Sequence, residues 1–452
     1  MPNHLGVDII GCGFGESIVL RLPNGKVGVV DCCSPTLKAT DSVSRFQANP
    51  TLRYVREVLQ ADRLAFLCFS HPHEDHGRGL SHLMLEYQDK IDEIWIFDAF
   101  QDISLERYFK ALFDGRRRLP IERLLKEEPG TFSRELLTIR NLVMKQIDMA
   151  NPERAIPRVF SGQQEVTVAE EDVTIRFLGP SVALAQTYKA KLLDNLAGVV
   201  DGDERVVNRD WKPHTVNHNL ASPAFLLTYG QTRLILGGDM EQEGWEEVCR
   251  ECASSRVPLS CHFVKVSHHG SATGFIEGLY EKFGQDSLPV GVLTPFTRHK
   301  YPLPRREGLD HLCPRTESLW ATSIANAHRS LGAVEPLSVS EIGRLSPFLE
   351  RWAADIVRKP EYLGSLDPES VVSGGKELLE KPSKVPEEWI ADLVAEPRLI
   401  ALIHPDLRSI YLPLAERKEP FEDVYRVSFE FGNSGNEIED ARYIGSGCGQ
   451  LN

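Results

Sequence analysis

The chain alternates short apolar runs with longer stretches of helical apolar period, a pattern typical of an α/β protein. An Asn24-Gly25 turn signal between Ser17–Leu22 and Val27–Asp31 predicts a β-hairpin near the N-terminus. A second hairpin is predicted over Ala224–Tyr229 and Arg233–Leu236. Further strands, several of them continuous apolar runs typical of strands buried on both faces, are predicted at Leu64–Phe69, Ile94–Phe97, Glu165–Val168, Val173–Leu178, Cys261–Val266 and Val290–Pro295.

Amphipathic stretches predict helices between these strands, at Thr51–Gln60, Gly79–Gln88 and Glu241–Ala253. Residues 101–150 have a helical and charged pattern, and we interpret them as a helical insertion. Beyond residue 325 the pattern becomes mixed, so an α/β domain over 1–325 is expected to be followed by a C-terminal α+β extension over 326–452. The extension has predicted helices at Leu349–Arg358 and Pro386–Ala395, and predicted extended segments at Arg398–Ile403 and Val424–Phe431.

Three polar clusters share one feature, because each follows a predicted buried strand. The clusters are His71/His73/Asp75/His76, then Asp239, then His268/His269. Functional sites in α/β proteins are built at the carboxyl ends of strands, where the sheet holds the loops rigidly. We therefore expect the three clusters to lie at one edge of the fold.

The first cluster has the pattern H-x-H-x-D-H. Alternate residues of an extended segment point the same way, so His71 and His73 can bind one metal ion while Asp75 and His76 reach a second. Asp239 can bridge two cations, and either His268 or His269 can complete the second site. Imidazole and carboxylate ligands suit Zn²⁺, Mn²⁺ or Fe. A solvated histidine loop is the usual interpretation of one such residue, but three clusters at strand ends favour a metal site.

Composition and charge restrict the binding partners and the cellular location that we expect. The formal net charge is −14, which argues against a broad basic nucleic-acid surface but not against a locally positive groove. Arg116-Arg117-Arg118 and Arg305-Arg306 could line a phosphate path, although arginine runs are more often solvated surface. No signal peptide or membrane-length apolar run is seen, and nine scattered cysteines fit reduced thiols, so a cytoplasmic protein with no membrane partner is expected.

The run His71-Pro-His-Glu-Asp-His76 resembles the signature of the metallo-β-lactamase fold. Four further segments resemble one branch of that fold, which contains the hydrolase domain of ComEC-type DNA-uptake (competence) proteins and the phosphorylcholine esterases. These segments are GCGFGESIVLRLPNGKVGVVDC (11–32), VTVAEEDVTIRFLGPS (166–181), NLASPAFLLTYGQTRLILGGDM (219–240) and VKVSHHGSATG (264–274). The resemblance covers about residues 5–325. It implies a four-layer αββα sandwich with a site for two divalent metal ions at the sheet edges.

The resemblance also implies roles for individual residues. The metal ligands would be His71 and His73 on the first ion, Asp75, His76 and His269 on the second, and Asp239 between them. His268 falls where the branch places a group that contacts phosphate or protonates a leaving group, and Asp75 and His268 are the candidate catalytic residues. Which of His268 and His269 is the ligand stays open, with His269 favoured. Asp31 would orient a ligand histidine, or else be a turn residue.

The sequence differs from other members of the wider fold at the position of one metal ligand. Many members put a third histidine on the first metal, and here the interval offers His214 and His218. Asn219 and Ser222 fit the N-x-x-S of the branch better, so His218, Asn219 and Ser222 are treated as candidates for substrate contact or support. His299 is a candidate phosphate contact near a late segment that borders the active site in the family.

The resemblance implies hydrolysis. His73 stands where the oxygen-reducing di-iron members have a carboxylate, which argues against their chemistry. The expected protein is a phosphodiesterase or nuclease that uses a metal-bridging hydroxide, with Zn²⁺ or Mn²⁺ preferred over Fe and DNA or RNA as substrates. A carboxyl-ester, lactone or thioester hydrolase is the first alternative. A non-catalytic, metal-stabilised protein that binds a partner through 326–452 is the second.

Overall fold

The computed structural model describes most of the predicted α/β domain and three short stretches near the C-terminus. The described residues are 4–11, 13, 15–34, 49–101, 132–149, 158–160, 164–168, 173–197, 216–296, 303–322, 426–432, 438–444 and 449–450. Residues 102–131 of the predicted insertion and 326–425 of the predicted extension lie outside them.

The first of two mixed sheets has eight strands in the order β15-β14-β1-β2-β3-β4-β5-β6. Strands β3 to β6 run parallel to one another, whereas β15, β14, β1, β2 and β3 pair antiparallel. The strands are β1 (Leu5–Ile10), β2 (Ser17–Arg21), β3 (Val27–Val30), β4 (Leu64–Phe69), β5 (Ile91–Phe97), β6 (Arg158–Phe160), β14 (Arg426–Phe431) and β15 (Ile438–Ile444).

The second sheet also has eight strands, in the order β16-β13-β12-β11-β10-β9-β8-β7. Strands β10 to β13 are parallel, and the remaining pairs are antiparallel. The strands are β7 (Gln164–Val168), β8 (Val173–Gly179), β9 (Ala224–Tyr229), β10 (Thr232–Leu236), β11 (Phe263–Lys265), β12 (Val290–Leu293), β13 (Ser318–Ala321) and β16 (Gly449–Gln450).

The two sheets pack face to face through aromatic side chains. Trp95 of β5 meets Phe177 of β8 with ring centroids 5.4 Å apart, and Phe263 of β11 meets Phe429 of β14 at 5.1 Å. Alternate residues of the second sheet, such as Ile235, point away from this core and belong to a separate apolar cluster with helix residues. This alternation follows from the two-residue period of a strand and gives the sheet two buried faces.

Eight α-helices flank the sheets in the described residues: α1 (Pro50–Arg53), α2 (Glu74–Gly77), α3 (Leu80–Glu86), α4 (Phe132–Met149), α5 (Val182–Ala197), α6 (Gln242–Ser255), α7 (Leu279–Phe283) and α8 (Arg306–Leu312). Helices α6, α7 and α8 bury Trp245, Phe283 and Leu312 in the outer cluster of the second sheet. Helices α1, α3 and α4 pack with the first sheet. Helix, sheet, sheet and helix therefore form four layers, and the expected αββα fold class is confirmed.

Several sequence predictions differ from the structure in detail. The helix predicted over Thr51–Gln60 is the short α1 followed by a π-helical turn at Tyr54–Val58. Asn49 begins α1, because its side chain accepts a hydrogen bond from Leu52 N at 3.0 Å and Pro50 follows at the first helical position. Within the described residues, no helix is long and apolar enough to cross a membrane.

The C-terminal stretch contributes to both sheets. Strand β14 pairs with β1 and carries β15, while β16 pairs with β13 of the second sheet. Residues 426–450 therefore supply strands to the sandwich that was assigned to 1–325. The division of the chain at residue 325 stays a prediction, and so does the helical insertion, of which the described part is mainly α4.

Candidate metal centre

The parallel strands of both sheets deliver polar residues to one edge of the sandwich. In each case the residue lies one to four positions beyond the end of its strand: Asp31 after β3, His71 after β4, Asp239 after β10, His269 after β11 and Thr294 after β12. Hydrogen bonds between these loops, described below, show that the two edges meet. The three polar clusters of the sequence are therefore brought together.

One group of possible ligands consists of His71, His73 and Asp239, whose ligand atoms all lie within 4.8 Å of one another. His71 Nε2 is 2.9 Å from His73 Nδ1 and 3.8 Å from Asp239 Oδ2. Burial lowers the pKa of both histidines, so both imidazoles are neutral and have free nitrogen lone pairs. We call this group the first ligand set.

A second group consists of Asp75, His76, Asp239 and His269, again within 4.8 Å of one another and all buried. His269 Nε2 is 3.0 Å from Asp75 Oδ2 and 3.7 Å from Asp239 Oδ2, and His76 Nε2 is 3.3 Å from Asp239 Oδ2. Burial opposes ionisation of both aspartates, but His76 and His269 hold the pKa of Asp75 and Asp239 below the ordinary range. We call this group the second ligand set, and it shares Asp239 with the first.

The donor atoms fit a divalent cation. Asp239 is 1% exposed, and its Oδ1 atom has no hydrogen-bond partner in the described part of the chain. A buried carboxylate oxygen without a partner is costly, and a bound cation would satisfy it. Imidazole nitrogen and carboxylate oxygen are ligands that Zn²⁺ and Mn²⁺ accept.

Asp31 supports histidines of both sets. Its Oδ2 atom accepts hydrogen bonds from His76 Nδ1 at 2.7 Å and from Ser70 Oγ at 2.5 Å. Ser70 Oγ in turn lies 3.0 Å from His71 Nδ1. The backbone of Asp31 has a φ of 60°, a left-handed conformation that aspartate tolerates better than most residues. Through these contacts Asp31 fixes the rings of His76 and His71 so that each Nε2 atom faces the cluster.

The adjacent histidines 268 and 269 point to different places. Both have positive φ values, 45° and 53°, so the chain turns sharply after β11. His269 Nδ1 donates to Thr294 O at 2.8 Å, which turns its Nε2 atom into the second ligand set. His268 lies beside the cluster, with Nδ1 3.2 Å from Glu241 Oε1 and 3.0 Å from Thr273 Oγ1.

The other candidates from the sequence lie around this edge. Ser222 Oγ accepts from Asp239 N at 2.8 Å, and Asn219 Nδ2 is 3.4 Å from His268 Nε2. His218 Nδ1 is 2.8 Å from Tyr188 OH, and its ring centroid is 5.4 Å from that of His73. Burial, then His73, lowers the pKa of His218 to about 3. The roles of these residues stay predictions, and His214, His299 and Arg116–Arg118 lie outside the described residues.

Some residues of the site were missed from the sequence. Ser70 and Thr294 directly follow strands, which is a signal that could have found them. Glu16 lies in a glycine-containing loop, and Glu241 begins a helix, so neither gave a pattern. A cavity of about 200 Å³ is lined by Glu241 and Thr273, which both contact His268, and by apolar residues that include Leu184 and Leu220.

Comparisons with known proteins give little information about the function of this chain. No protein-family profile matches the chain, and no curated protein matches it. Among solved structures, one match is described as the metallo-beta-lactamase fold protein YhfI from Bacillus subtilis. It is 15% identical, with 65% of this chain and 86% of that chain covered, and the TM-score is 0.31. Similarity at this level carries no functional argument, and the branch of competence proteins and phosphorylcholine esterases stays a prediction. The two flanked sheets themselves give the chain the αββα architecture that its sequence led us to expect.

Proposed function

We propose that this protein is a metal-dependent hydrolase of phosphodiesters, with two divalent cations held by the two ligand sets. The observation that carries the proposal is the shared Asp239, whose Oδ2 atom lies within 3.8 Å of nitrogen atoms from His71, His76 and His269. One carboxylate shared by two sets of imidazole and carboxylate groups is an arrangement suited to a pair of cations.

His71, His73 and Asp239 would hold one cation, and Asp75, His76, Asp239 and His269 the other. Two such ions supply Lewis acidity to a phosphoryl group and a nucleophile from water at neutral pH. Other residues of the chain position the metal ligands. Asp31, Ser70 and Thr294 fix the ligand rings before any substrate arrives, which is the preorganisation that catalysis requires.

His268 favours a phosphodiester over a neutral ester. Burial opposes its protonation, but the hydrogen bond and the charge of Glu241, which belongs to neither ligand set, raise its pKa. A protonated imidazole next to the ligand sets would bind a phosphoryl oxygen and could transfer a proton to the leaving group. A neutral carboxyl ester offers less for that positive charge to attract.

Asn219 and the adjoining cavity would receive one arm of the substrate. Asn219 lies between His268 and the cavity, whose wall combines the apolar side chains of Leu184 and Leu220 with polar atoms of the α6 N-terminus. A group the size of a sugar or a short alkyl chain suits a space of about 200 Å³. Whether the substrate is a nucleic acid is decided by experiment.

The test is hydrolysis by protein loaded with Mn²⁺ or Zn²⁺. Single- and double-stranded DNA, RNA, bis-p-nitrophenyl phosphate, and a panel of carboxyl esters and lactones would be assayed with wild type, Asp75→Ala and His76→Ala. The matched control is His262→Ala, since His262 belongs to neither ligand set. We expect phosphodiester cleavage that is lost with EDTA and in both site variants but kept in the control.

Other results would redirect the assignment. Cleavage of esters or lactones without phosphodiester cleavage would replace the proposed substrate class. Two bound metal ions per chain with no turnover on the whole panel would favour a non-catalytic, metal-stabilised protein.

A further inference from the structure

A buried ion pair lies behind the second ligand set. Glu16, in the loop between β1 and β2, and Lys265, the last residue of β11, are 1% and 0% exposed, and their side chains form a salt bridge. Burying such a pair contributes little to stability, because desolvation of both charges offsets their attraction. The ammonium of Lys265 also supplies the positive charge that Glu16 needs, so Glu16 is not required as a metal ligand. A different role explains its position better.

The Glu16 side chain is connected to His269 through one hydroxyl. Thr294 Oγ1 donates to Glu16 Oε2 at 2.7 Å, and His269 Nδ1 lies 3.0 Å from the same hydroxyl oxygen. His269 Nδ1 also donates to the Thr294 carbonyl oxygen, which can only accept, so the proton of this ring is on Nδ1. Nε2 of His269, 3.0 Å from Asp75 Oδ2, is therefore the ring atom that faces the cluster.

The Glu16 backbone is connected to Asp75. Glu16 N donates to Asp75 O at 3.0 Å. The preceding Gly15 packs so closely that a Cβ atom there would lie 2.3 Å from Asp75 O. One short loop thus supports Asp75 by its backbone and His269 by its side chain, and both belong to the second ligand set. None of these contacts reaches His71 or His73.

We infer that Glu16, Thr294 and Lys265 are positioning residues for the second cation alone, whereas Asp31 serves both. This inference rests on the proposed two-cation site. Glu16 polarises the Thr294 hydroxyl and so strengthens the hydrogen bond that orients His269, while Lys265 holds the Glu16 carboxylate in place through their salt bridge. Asp31 differs, because it reaches His76 directly and His71 through Ser70.

The test is calorimetric titration of metal-free protein with Zn²⁺ or Mn²⁺, comparing Thr294→Val with Thr294→Ser. Removing such a support typically weakens metal binding 10- to 100-fold. We expect Thr294→Val and Glu16→Gln to weaken one of two binding steps by this factor and to leave the other unchanged. Thr294→Ser keeps the hydroxyl and should bind like wild type, whereas Asp31→Asn should weaken both steps.

The absorption spectrum of bound Co²⁺ gives a second readout that does not depend on activity. The band of one of two Co²⁺ ions should change in Thr294→Val and return in Thr294→Ser. If Glu16→Gln fails to fold because Lys265 is left unpaired, Glu16→Gln/Lys265→Met removes both charges and is titrated instead. Equal weakening of both steps, or of neither, in variants that fold would overturn the inference. If wild type itself binds no pair of cations, the proposed function fails with it.

Discussion

Two regions of the molecule bury carboxylates, and they neutralise them differently. At the candidate metal centre, the partners of Asp75 and Asp239 are histidines. On the first sheet, Asp8 of β1 is equally buried, but its partners are arginines: Arg21 Nε donates to Asp8 Oδ2 at 2.9 Å, and Arg426 Nη1 is 3.9 Å from Oδ1.

We call Asp8, Arg21, Arg426 and Glu430 the arginine cluster, and its carboxylates and guanidiniums are equal in number. Arg21 also binds Glu430 of β14 at 3.0 Å, and the guanidinium of Arg426 lies 3.9 Å from the ring centre of Tyr54. Although burial alone would lower it, Asp8 raises the pKa of Arg21, so Arg21 stays charged. Two carboxylates and two guanidiniums are present, and they join the C-terminal strand β14 to β1 and β2.

The metal centre lacks this balance. Burial lowers the pKa of His71 and His73, which therefore bring lone pairs rather than positive charge. His76 differs, because burial is opposed by Asp239, Asp75 and Asp31, which together raise its pKa. The comparison shows that a buried carboxylate is identified by its partners: arginine indicates a structural ion pair, and a group of imidazoles around a shared carboxylate indicates a place for a cation.

The largest effect is expected for Asp239→Asn, because this residue is common to both ligand sets. Lost Lewis acidity is worth several kcal/mol of transition-state stabilisation, so hydrolysis should fall by at least about 10³-fold. Bound metal, measured by elemental analysis after dialysis, should fall for both cations. The matched control is Asp8→Asn, a buried aspartate of the arginine cluster, which should keep its metal. Loss of metal in Asp8→Asn would show that the two regions are not independent.

Arg21→Ala is expected to lower stability and to leave metal binding unchanged. Removing one partner of a buried pair leaves an uncompensated charge at Asp8, and we expect a loss of about 3 kcal/mol in the free energy of unfolding. Urea denaturation would measure it, with metal content unchanged. Arg63→Ala serves as the control, since the Arg63–Asp92 pair is largely exposed and should contribute less than about 1 kcal/mol. Equal losses in both variants would contradict a special role for the buried cluster.

The sequence predicts the site better than it predicts what supports the site. His71, His73, Asp75 and His76 follow a strand of six apolar residues, so their position at a sheet edge follows from local pattern alone. Asp239 and His269 come from other strands, and their position after predicted strands, together with the resemblance, joined them to the first cluster. Glu16 and Lys265 lie about 250 residues apart in the chain. A contact of that separation leaves no periodic signal, so it appears only when the sheets are assembled.

Prediction of the fold has the same limit: individual elements can be predicted, but contacts between distant parts of the chain cannot. Strands such as β4 and β9 were predicted with their observed ends, because a buried strand is one continuous apolar run. The pairing of β14 with β1 could not be predicted, since an edge position depends on which strands lie beside it. Hydrophobic pattern specifies an element, whereas its neighbours are decided by packing.

A third region with a buried carboxylate, that of Glu135 of α4, gives a smaller and pH-dependent effect on stability. It accepts hydrogen bonds from Gly79 N, Ser81 N and Ser81 Oγ at the start of α3, and burial raises its pKa from 4.5 to about 7. Because the folded-state pKa is raised, its contribution to stability is full below pH 4.5 and is lost as pH rises through about 7.

Glu135→Gln removes this titration. We expect the stability of the variant relative to wild type to rise with pH by on the order of 1 kcal/mol per pH unit between pH 4.5 and 7. Urea denaturation of metal-free protein across that range would measure it. A difference that stays constant with pH would mean that Glu135 is ionised in the folded protein throughout.

The smallest effect is expected for Tyr188→Phe, which tests whether the first ligand set ends at three residues. His218 Nδ1 is held by Tyr188 OH, and its ring is near His73, yet the first set of close ligand atoms contains His71, His73 and Asp239. If His218 stands outside that set, losing one hydrogen bond should lower stability by about 1 kcal/mol and leave both metal-binding steps unchanged. A roughly tenfold weaker first step would instead make Tyr188 a support for a third histidine ligand, of the kind that Asp31 is for His76. The two ligand sets would then hold four residues each, and their asymmetry would lie in their supports rather than in their number.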